Sequence, residues 1–181
     1  MFSRLRRAPV APAETNGLVI YDLGLRLYCG RAPLDASEAE ALARLGITDV
    51  VDLRQPREWQ APGRFGAEAI AELDRLRIRR HAVPLPDGEA PAPGELDAAY
   101  EILVDVLARR EQRIYVHCRA GLQRTAAVLL AYTARAHDLT YETALGQLRA
   151  RGWPLRPTPA QEAAVRRWLD AHAAFDLPLR H

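Results

Sequence analysis

Lysine is absent from this chain: all 25 basic residues are arginine. A single arginine therefore carries less information here than in a chain that uses both cations, and arguments from one arginine are discounted. Cysteine is nearly absent too, with only Cys29 and Cys118. Two isolated thiols build neither a disulfide framework nor a zinc cluster. No metal and no cofactor is expected, and a reducing, cytoplasmic location is the default. Net charge is also low, at +2, so composition gives no case for a nucleic-acid partner or a membrane surface. No apolar run is long enough to span a membrane. The N-terminus, Met1-Phe2-Ser3-Arg4-Leu5-Arg6-Arg7, is basic, but no apolar stretch succeeds it and Pro9 and Pro12 break the chain there, so no secretory signal is expected.

What is present is ordinary globular material. Of 181 residues, 49% are hydrophobic and 27% charged, enough apolar surface for one compact domain. Residues 1–16 read as a flexible lead-in and 17–181 as a single domain. Leu18 to Tyr21 and Leu25 to Cys29 suggest a hairpin around Asp22-Leu23-Gly24. Ser37 with Glu40 has the capping-box spacing for a helix closed by Gly46. Ile47 to Leu53 and Arg113 to His117 are apolar enough for buried strands, and Arg80 to Leu85 for a short one. Helices are expected at 67–76, 95–110, 125–137, 141–151 and 159–174. The last has Thr158 as N-cap and Pro159 at the first helical position. Residues 86–94 hold three prolines and two glycines and must be a loop. Strands interleaved with helices imply an α/β fold, with a central mixed, largely parallel sheet flanked by helices.

The chemistry concentrates at His117-Cys118-Arg119-Ala120-Gly121-Leu122-Gln123-Arg124-Thr125. A loop from a strand end to a helix N-terminus aims several backbone N–H groups at one spot and makes an anion site. Gly121 permits the backbone such a cradle needs. Arg124 offers a planar fork that matches two phosphate oxygens. A thiol placed there is pushed toward thiolate by the helix dipole, the N–H groups and Arg124, so Cys118 reads as an activated nucleophile. Residues 119–124 would hold the phosphoryl group. Thr125 can donate its hydroxyl to the sulfur, and His117 can orient the loop from beneath. The competing view, a buried core cysteine, does not need Gly121, Arg124 and Thr125 at those offsets.

This run resembles the signature loop of the protein tyrosine phosphatase superfamily, in its small dual-specificity-like branch. The resemblance extends, less specifically, over about residues 18–170, including Val50-Val51-Asp52-Leu53-Arg54. It implies a cysteine phosphatase-like fold, Cys118 as nucleophile, Arg124 on the phosphoryl group and Thr125 assisting thiolate departure. Ala126 departs from the glycine that is frequent there, and Leu122 and Gln123 blur the sub-family. The implied partner is a phosphorylated protein or a small phosphomonoester; the oligomeric state is not legible.

Expelling an alkoxide or phenolate needs a proton donor, and a carboxylic acid on a mobile loop is the usual solution. Asp87, in Pro86-Asp87-Gly88-Glu89-Ala90-Pro91, lies about thirty residues before the cysteine, and the pattern resembles the family's general-acid loop. Glu89 is the competing candidate, and Pro-Asp-Gly is also a plain turn. Arg31 resembles a family position near the active-site rim, but a surface arginine that follows the compositional bias is the preferred reading. Asp52 and Arg54 are expected to order the cradle, with Glu58 paired to an arginine. Cys29 is read as a strand thiol, with a redox role as the alternative. Gln161 is read as an exposed helical residue, with a place near the pocket that orders water as the alternative, and Trp59, Trp153 and Trp168 as core or rim packing.

Two other classes compete. Asp52-Leu53-Arg54-Gln55-Pro56-Arg57-Glu58 also resembles a segment of rhodanese-like sulfurtransferases, but the six-residue step from Cys118 to Arg124 is sized for a phosphoryl group, and a sulfurtransferase has no need of an acid loop. A non-enzymatic phosphate-sensing module would need neither Cys118 nor Asp87. Thiosulfate:cyanide transfer against aryl phosphate hydrolysis discriminates the first, and any phosphomonoester turnover the second.

Overall fold

The computed structural model describes residues 13–60 and 66–175. Among these described residues six strands, β1 (Ala13–Thr15), β2 (Leu18–Gly24), β3 (Leu27–Arg31), β4 (Asp49–Asp52), β5 (Arg79–Ala82) and β6 (Ile114–Cys118), form one sheet in the order β1-β2-β3-β6-β4-β5. β3, β6, β4 and β5 run parallel, while β1 and β2 are antiparallel additions. The expected mixed, largely parallel sheet is what forms. The helices are α1 (Ala36–Arg44), α2 (Ala67–Arg75), α3 (Pro93–Ala108), α4 (Arg124–Ala136), α5 (Tyr141–Arg149) and α6 (Pro159–Phe175).

Alternation along the strands divides the core. Val50 and Tyr115 face one side with Leu42 of α1 and Leu73 of α2. Val51 and Val116 face the other, with Leu103 of α3, Leu130 of α4 and Trp168 of α6. Because both faces are covered, β4 and β6 are buried at every position, and the aspartates at the two ends of β4, Asp49 and Asp52, are paired with Arg79, His81, Arg54 and Arg80. All four parallel strands end at one edge of the sheet. β6, the last of the described strands, sits between β3 and β4, so its carboxyl end opens where the connections diverge, the usual ligand crevice of such sheets.

Several local expectations are corrected. β1 pairs with β2, so residues 13–15 belong to the sheet and not to a lead-in; residues 1–12 lie outside the described residues. The hairpin turn is Leu25-Arg26, at φ +52° and +70°, and not Asp22-Leu23-Gly24, because β2 runs on to Gly24 through an irregular pairing step and buries Leu23. Arg26 holds this unfavoured turn by donating to the carbonyls of Leu107, Arg109 and Gln112. Asp35, not Ser37, caps α1: its carboxylate accepts from Glu38 N (3.0 Å) and the Ser37 hydroxyl (2.8 Å). α3 starts two residues earlier than expected, at Pro93, because the Glu95 carboxylate accepts from Ala92 N at 2.7 Å.

Beneath the carboxyl end of β6 lies a buried polar cluster. Asp52 (0% exposed) receives Arg54 Nε (2.9 Å) and Nη2 (2.8 Å) and Arg80 Nε (3.0 Å). His117 Nδ1 lies 3.7 Å from the same carboxylate and 3.2 Å from the Cys118 carbonyl. A carbonyl only accepts, so Nδ1 carries the proton and donates. Burial pushes His117 down to about 4, against the pull of Asp52. Burial would raise Asp52, but His117 and Arg54 hold it well below the usual carboxylate range.

Stability is therefore linked to pH through His117. The unfolded chain protonates it near 6.5, whereas the folded chain resists down to about 4. This contribution is complete above pH 6.5 and is lost as pH falls toward 4; it amounts to about 3 kcal/mol at most. Urea unfolding at pH 7.5, 6 and 5 is expected to show a falling midpoint. His117→Asn, which keeps a donor, is expected to flatten that fall.

Candidate active site

Three loops meet at the carboxyl edge of the parallel strands. The first joins β6 to α4 and runs from Cys118 to Arg124. Gly121 turns it at φ +72°, and a Cβ there would run into the Gly30 backbone, so only glycine lets the loop lie flat on β3. Ala32 N donates to Arg119 O at 3.1 Å and closes the same contact. Gly121 N then donates to Cys118 Sγ at 3.2 Å. Arg119, Ala120 and Gln123 are exposed around the rim, and Leu122 is half-buried.

Cys118 is 3% exposed. Burial works against its thiolate. The Thr125 hydroxyl and backbone, Arg124 and the Gly121 N–H outweigh that and hold the thiol below its ordinary value. Thr125 Oγ1 is buried and meets no hydrogen-bond partner, so its hydrogen can turn toward the sulfur.

The second loop leaves the end of β4. It brings Glu58, on the short 3₁₀ turn Pro56–Glu58, against Arg124: Oε2 accepts from Nη1 at 2.6 Å and Oε1 from Nη2 at 2.8 Å. Burial alone would raise the Glu58 carboxyl, and Arg124 and the Gln55 N–H bring it below its usual value. Arg124 is 1% exposed, and its Nη1 also lies 3.4 Å from the carbonyls of Leu53 and Leu85.

The third loop leaves the end of β5 and holds both acid candidates. Asp87 Oδ1 is 3.2 Å from Arg124 Nη2, and Oδ2 is 3.5 Å from Arg119 Nη2. Its side chain is 38% exposed. Glu89 is exposed and makes no ion pair among the described residues. Cys118, Arg124, Thr125, Gly121, Arg119 and Asp87 thus converge, with His117 one residue beneath.

Other singled-out residues fall elsewhere. Arg31 pairs with the buried Glu38 through Nη1 (2.8 Å) and Nη2 (2.5 Å) and ties β3 to α1. Cys29 is fully buried on β3, and burial pushes its thiol well up. Gln161 is buried, not exposed: its Oε1 accepts from Thr158 N (3.0 Å) while its N donates to the Thr158 hydroxyl (3.2 Å), a reciprocal cap on α6. The Arg80 guanidinium lies 4.7 Å from the Trp59 ring centroid. Trp153 is packed as expected, but it also donates from Nε1 to Gly121 O at 3.0 Å. That bond and Arg156 N to Leu122 O (2.9 Å) support the cradle from the α5–α6 connection, which no sequence signal marked.

Among the described residues, no group of three or more His, Cys, Asp or Glu is placed to hold a metal ion, and no helix is long and apolar enough to cross a membrane.

A family model described as dual specificity phosphatase, catalytic domain, matches residues 27–170. Bovine dual specificity protein phosphatase 26 is 30% identical over 152 residues, covering 80% of this chain and 68% of that protein. Mouse dual specificity protein phosphatase 12 is 33% identical over 147 residues, covering 80% of this chain and 39% of its own length. Among solved structures, PTPMT1 in complex with PI(5)P superposes with a TM-score of 0.74 at 16% identity, covering 87% of this chain and 99% of that one. A kinase associated phosphatase with its catalytic-site cysteine replaced by serine gives 0.72 at 19%, covering 90% and 98%. At these identities the two structures speak for the fold alone. The sulfurtransferase alternative finds no support among these relatives. In this structure its Asp-x-Arg-x-x-x-Glu pattern is accounted for by Asp52–Arg54 and Glu58–Arg124. The chain belongs to the dual-specificity phosphatase family, as a cysteine-dependent phosphatase of the protein tyrosine phosphatase superfamily.

Proposed function

We propose that Cys118 is the nucleophile of a two-step phosphomonoester hydrolysis, with Arg124 binding the phosphoryl group and Asp87 serving as the acid. The carrying observation is the Gly121 N–H donating to Cys118 Sγ at 3.2 Å, in a loop whose buried Arg124 is salt-bridged to Asp87. The thiolate attacks phosphorus in line and the P–O bond to the leaving group breaks. Asp87 delivers its proton to the departing oxygen. Water then attacks the phosphocysteine, Asp87 takes up its proton, and sulfur leaves as a thiolate that the Thr125 hydroxyl stabilises. Arg119, Ala120, Gly121, Leu122, Gln123 and Arg124 surround the phosphoryl oxygens. His117, neutral, fixes the Cys118 carbonyl.

The substrate is a phosphorylated protein or a small phosphomonoester. Support comes from the relatives' names and from the cradle, which addresses the phosphoryl group and not what carries it. A reducing cytoplasmic location suits two free, buried cysteines.

Cys118→Ser is expected to lower hydrolysis of an aryl phosphate by at least about a thousandfold while vanadate still binds, read by tryptophan fluorescence or calorimetry. Asp87→Asn is expected to lower kcat/KM for phenyl phosphate about 10²- to 10³-fold. It should matter far less for 2,4-dinitrophenyl phosphate, whose leaving group needs no proton. Full activity in Cys118→Ser would overturn the mechanism, and an equal loss on both esters would remove Asp87 from the acid role.

The acid limb of kcat/KM against pH is expected to track the Cys118 thiol. Thr125 is among the groups that lower it, so Thr125→Val is expected to shift that limb to higher pH and to slow phosphocysteine breakdown, seen as a larger burst of released phenol. An unmoved limb would show that the hydroxyl does not act on the thiolate.

A further inference from the structure

The connection between α5 and α6 touches both loops that the mechanism needs to hold together. Trp153 Nε1 donates to Gly121 O at 3.0 Å and Arg156 N to Leu122 O at 2.9 Å, both on the cradle. Two residues further on, the Thr158 hydroxyl reaches Gly88 O, next to Asp87, at 3.4 Å. One short segment therefore bridges the nucleophile loop and the acid loop.

Thr158 has its orientation fixed from behind. Its oxygen accepts from Gln161 N (3.2 Å), and its own N donates to Gln161 Oε1 (3.0 Å). Gln161 is 0% exposed, so this cap is locked into the packed start of α6. With the oxygen's acceptor role taken by the helix, its hydrogen is left for the acid loop. Gly88 itself stands at φ +77°, with no heavy atom within 4 Å of the position a Cβ would take, so side-chain packing does not steer this turn.

We propose that Thr158 is a positioning residue for the acid step, holding the peptide after Asp87 at a set distance from the cradle. The inference rests on Asp87 as the acid. In the resting site Asp87 is anchored by Arg124 and Arg119, but both guanidiniums belong to the phosphoryl group once substrate enters. The carboxyl then keeps its place only through its backbone, and Thr158 to Gly88 is a backbone contact that substrate does not claim. At 3.4 Å it is long, and catalytic contacts of this kind tighten when substrate binds. Misplacing a catalytic group by about 1 Å costs on the order of 10²-fold in rate. Thr158 touches neither substrate nor reacting atoms.

A cap alone would stabilise α6 and affect all substrates alike. The discriminating readout is the dependence of kcat/KM on the leaving group, measured with aryl phosphates from 2,4-dinitrophenyl to phenyl phosphate, alongside the Tm of each variant. Thr158→Val is expected to lower kcat/KM for phenyl phosphate about tenfold and for 2,4-dinitrophenyl phosphate less than about twofold. Thr158→Ser, which keeps the hydroxyl, is expected to restore the wild-type series. In Asp87→Asn, adding Thr158→Val is expected to cost nothing more on phenyl phosphate. A uniform loss across the series, or none, in Thr158→Val overturns the inference and leaves Asp87 intact if Asp87→Asn still steepens the dependence. If Asp87→Asn leaves the dependence unchanged, the acid assignment falls and the role of Thr158 falls with it.

Discussion

The buried guanidinium of Arg124 is the constraint around which this site is built. A cation taken out of water is costly unless its donors are matched. Here the matching comes from three strand ends at once: Glu58 and the Leu53 carbonyl after β4, Asp87 and the Leu85 carbonyl after β5, and Cys118 closing β6. The three strand ends are far apart in sequence. Parallel pairing of β4 with β5 and β6, with Asp52 opposite both Ala82 and His117, puts them at one level. A slip of one residue in either pairing would turn the side chains to the opposite face and leave the guanidinium unmatched. The register of the sheet and the charge balance of the site are thus one requirement.

The polar cluster below the cradle serves the same end. Asp52 stays ionised because Arg54 and Arg80 bond it, and His117 stays neutral because it is buried. A neutral His117 can donate from only one ring nitrogen, so the bond to the Cys118 carbonyl has one direction and the loop has one orientation. Above the cradle, Gly121 performs a related task by geometry alone. Its missing Cβ lets the loop rest on Gly30 while its N–H meets the sulfur.

Legibility in the sequence depends on the range of each interaction. Cys118, Gly121, Arg124 and Thr125 lie within eight consecutive positions, and a strand–loop–helix passage fixes their relation locally, so their chemistry is legible. The loop around Asp87 is legible from its prolines and glycines, but Asp87 as its acid rests on the resemblance, with Glu89 and a plain turn competing. Glu58 can be expected to meet some arginine, but its partner lies 66 residues away and is set by sheet order. The supports from Trp153, 32 residues from Gly121, and Thr158, 70 from Gly88, leave no trace in spacing or composition. Discounting single arginines is half right. Arg31 resembles a rim residue and is an internal tie to Glu38, whereas Arg26, in a turn that no turn-forming residue announces, holds that turn with three carbonyl bonds. The Asp35 cap and the Gln161 burial escape notice because neighbouring serine and helical periodicity offer equally good local readings.

The resting site is already close to saturated with anions, and this shapes how substrate must enter. Arg124 faces Glu58 through both terminal nitrogens, Asp87 through one of them, and the Cys118 sulfur besides. A phosphate dianion arriving there adds charge to a cluster with little cation to spare, so binding is an exchange and not an addition. Of the two carboxylates, Glu58 is 11% exposed and clasped bidentate; Asp87 is 38% exposed and lies on a loop with few side-chain anchors. On the proposed mechanism, Asp87 is therefore the group that would give way. The exposed Arg119, which pairs with it at rest, can turn to the incoming anion in the same motion. A carboxylate displaced from Arg124 by the phosphoryl group is left beside that group's outer face, the side from which a leaving oxygen departs when sulfur attacks from within. On the proposed mechanism, the ion pair between Asp87 and Arg124 is thus also what would bring the acid to its place.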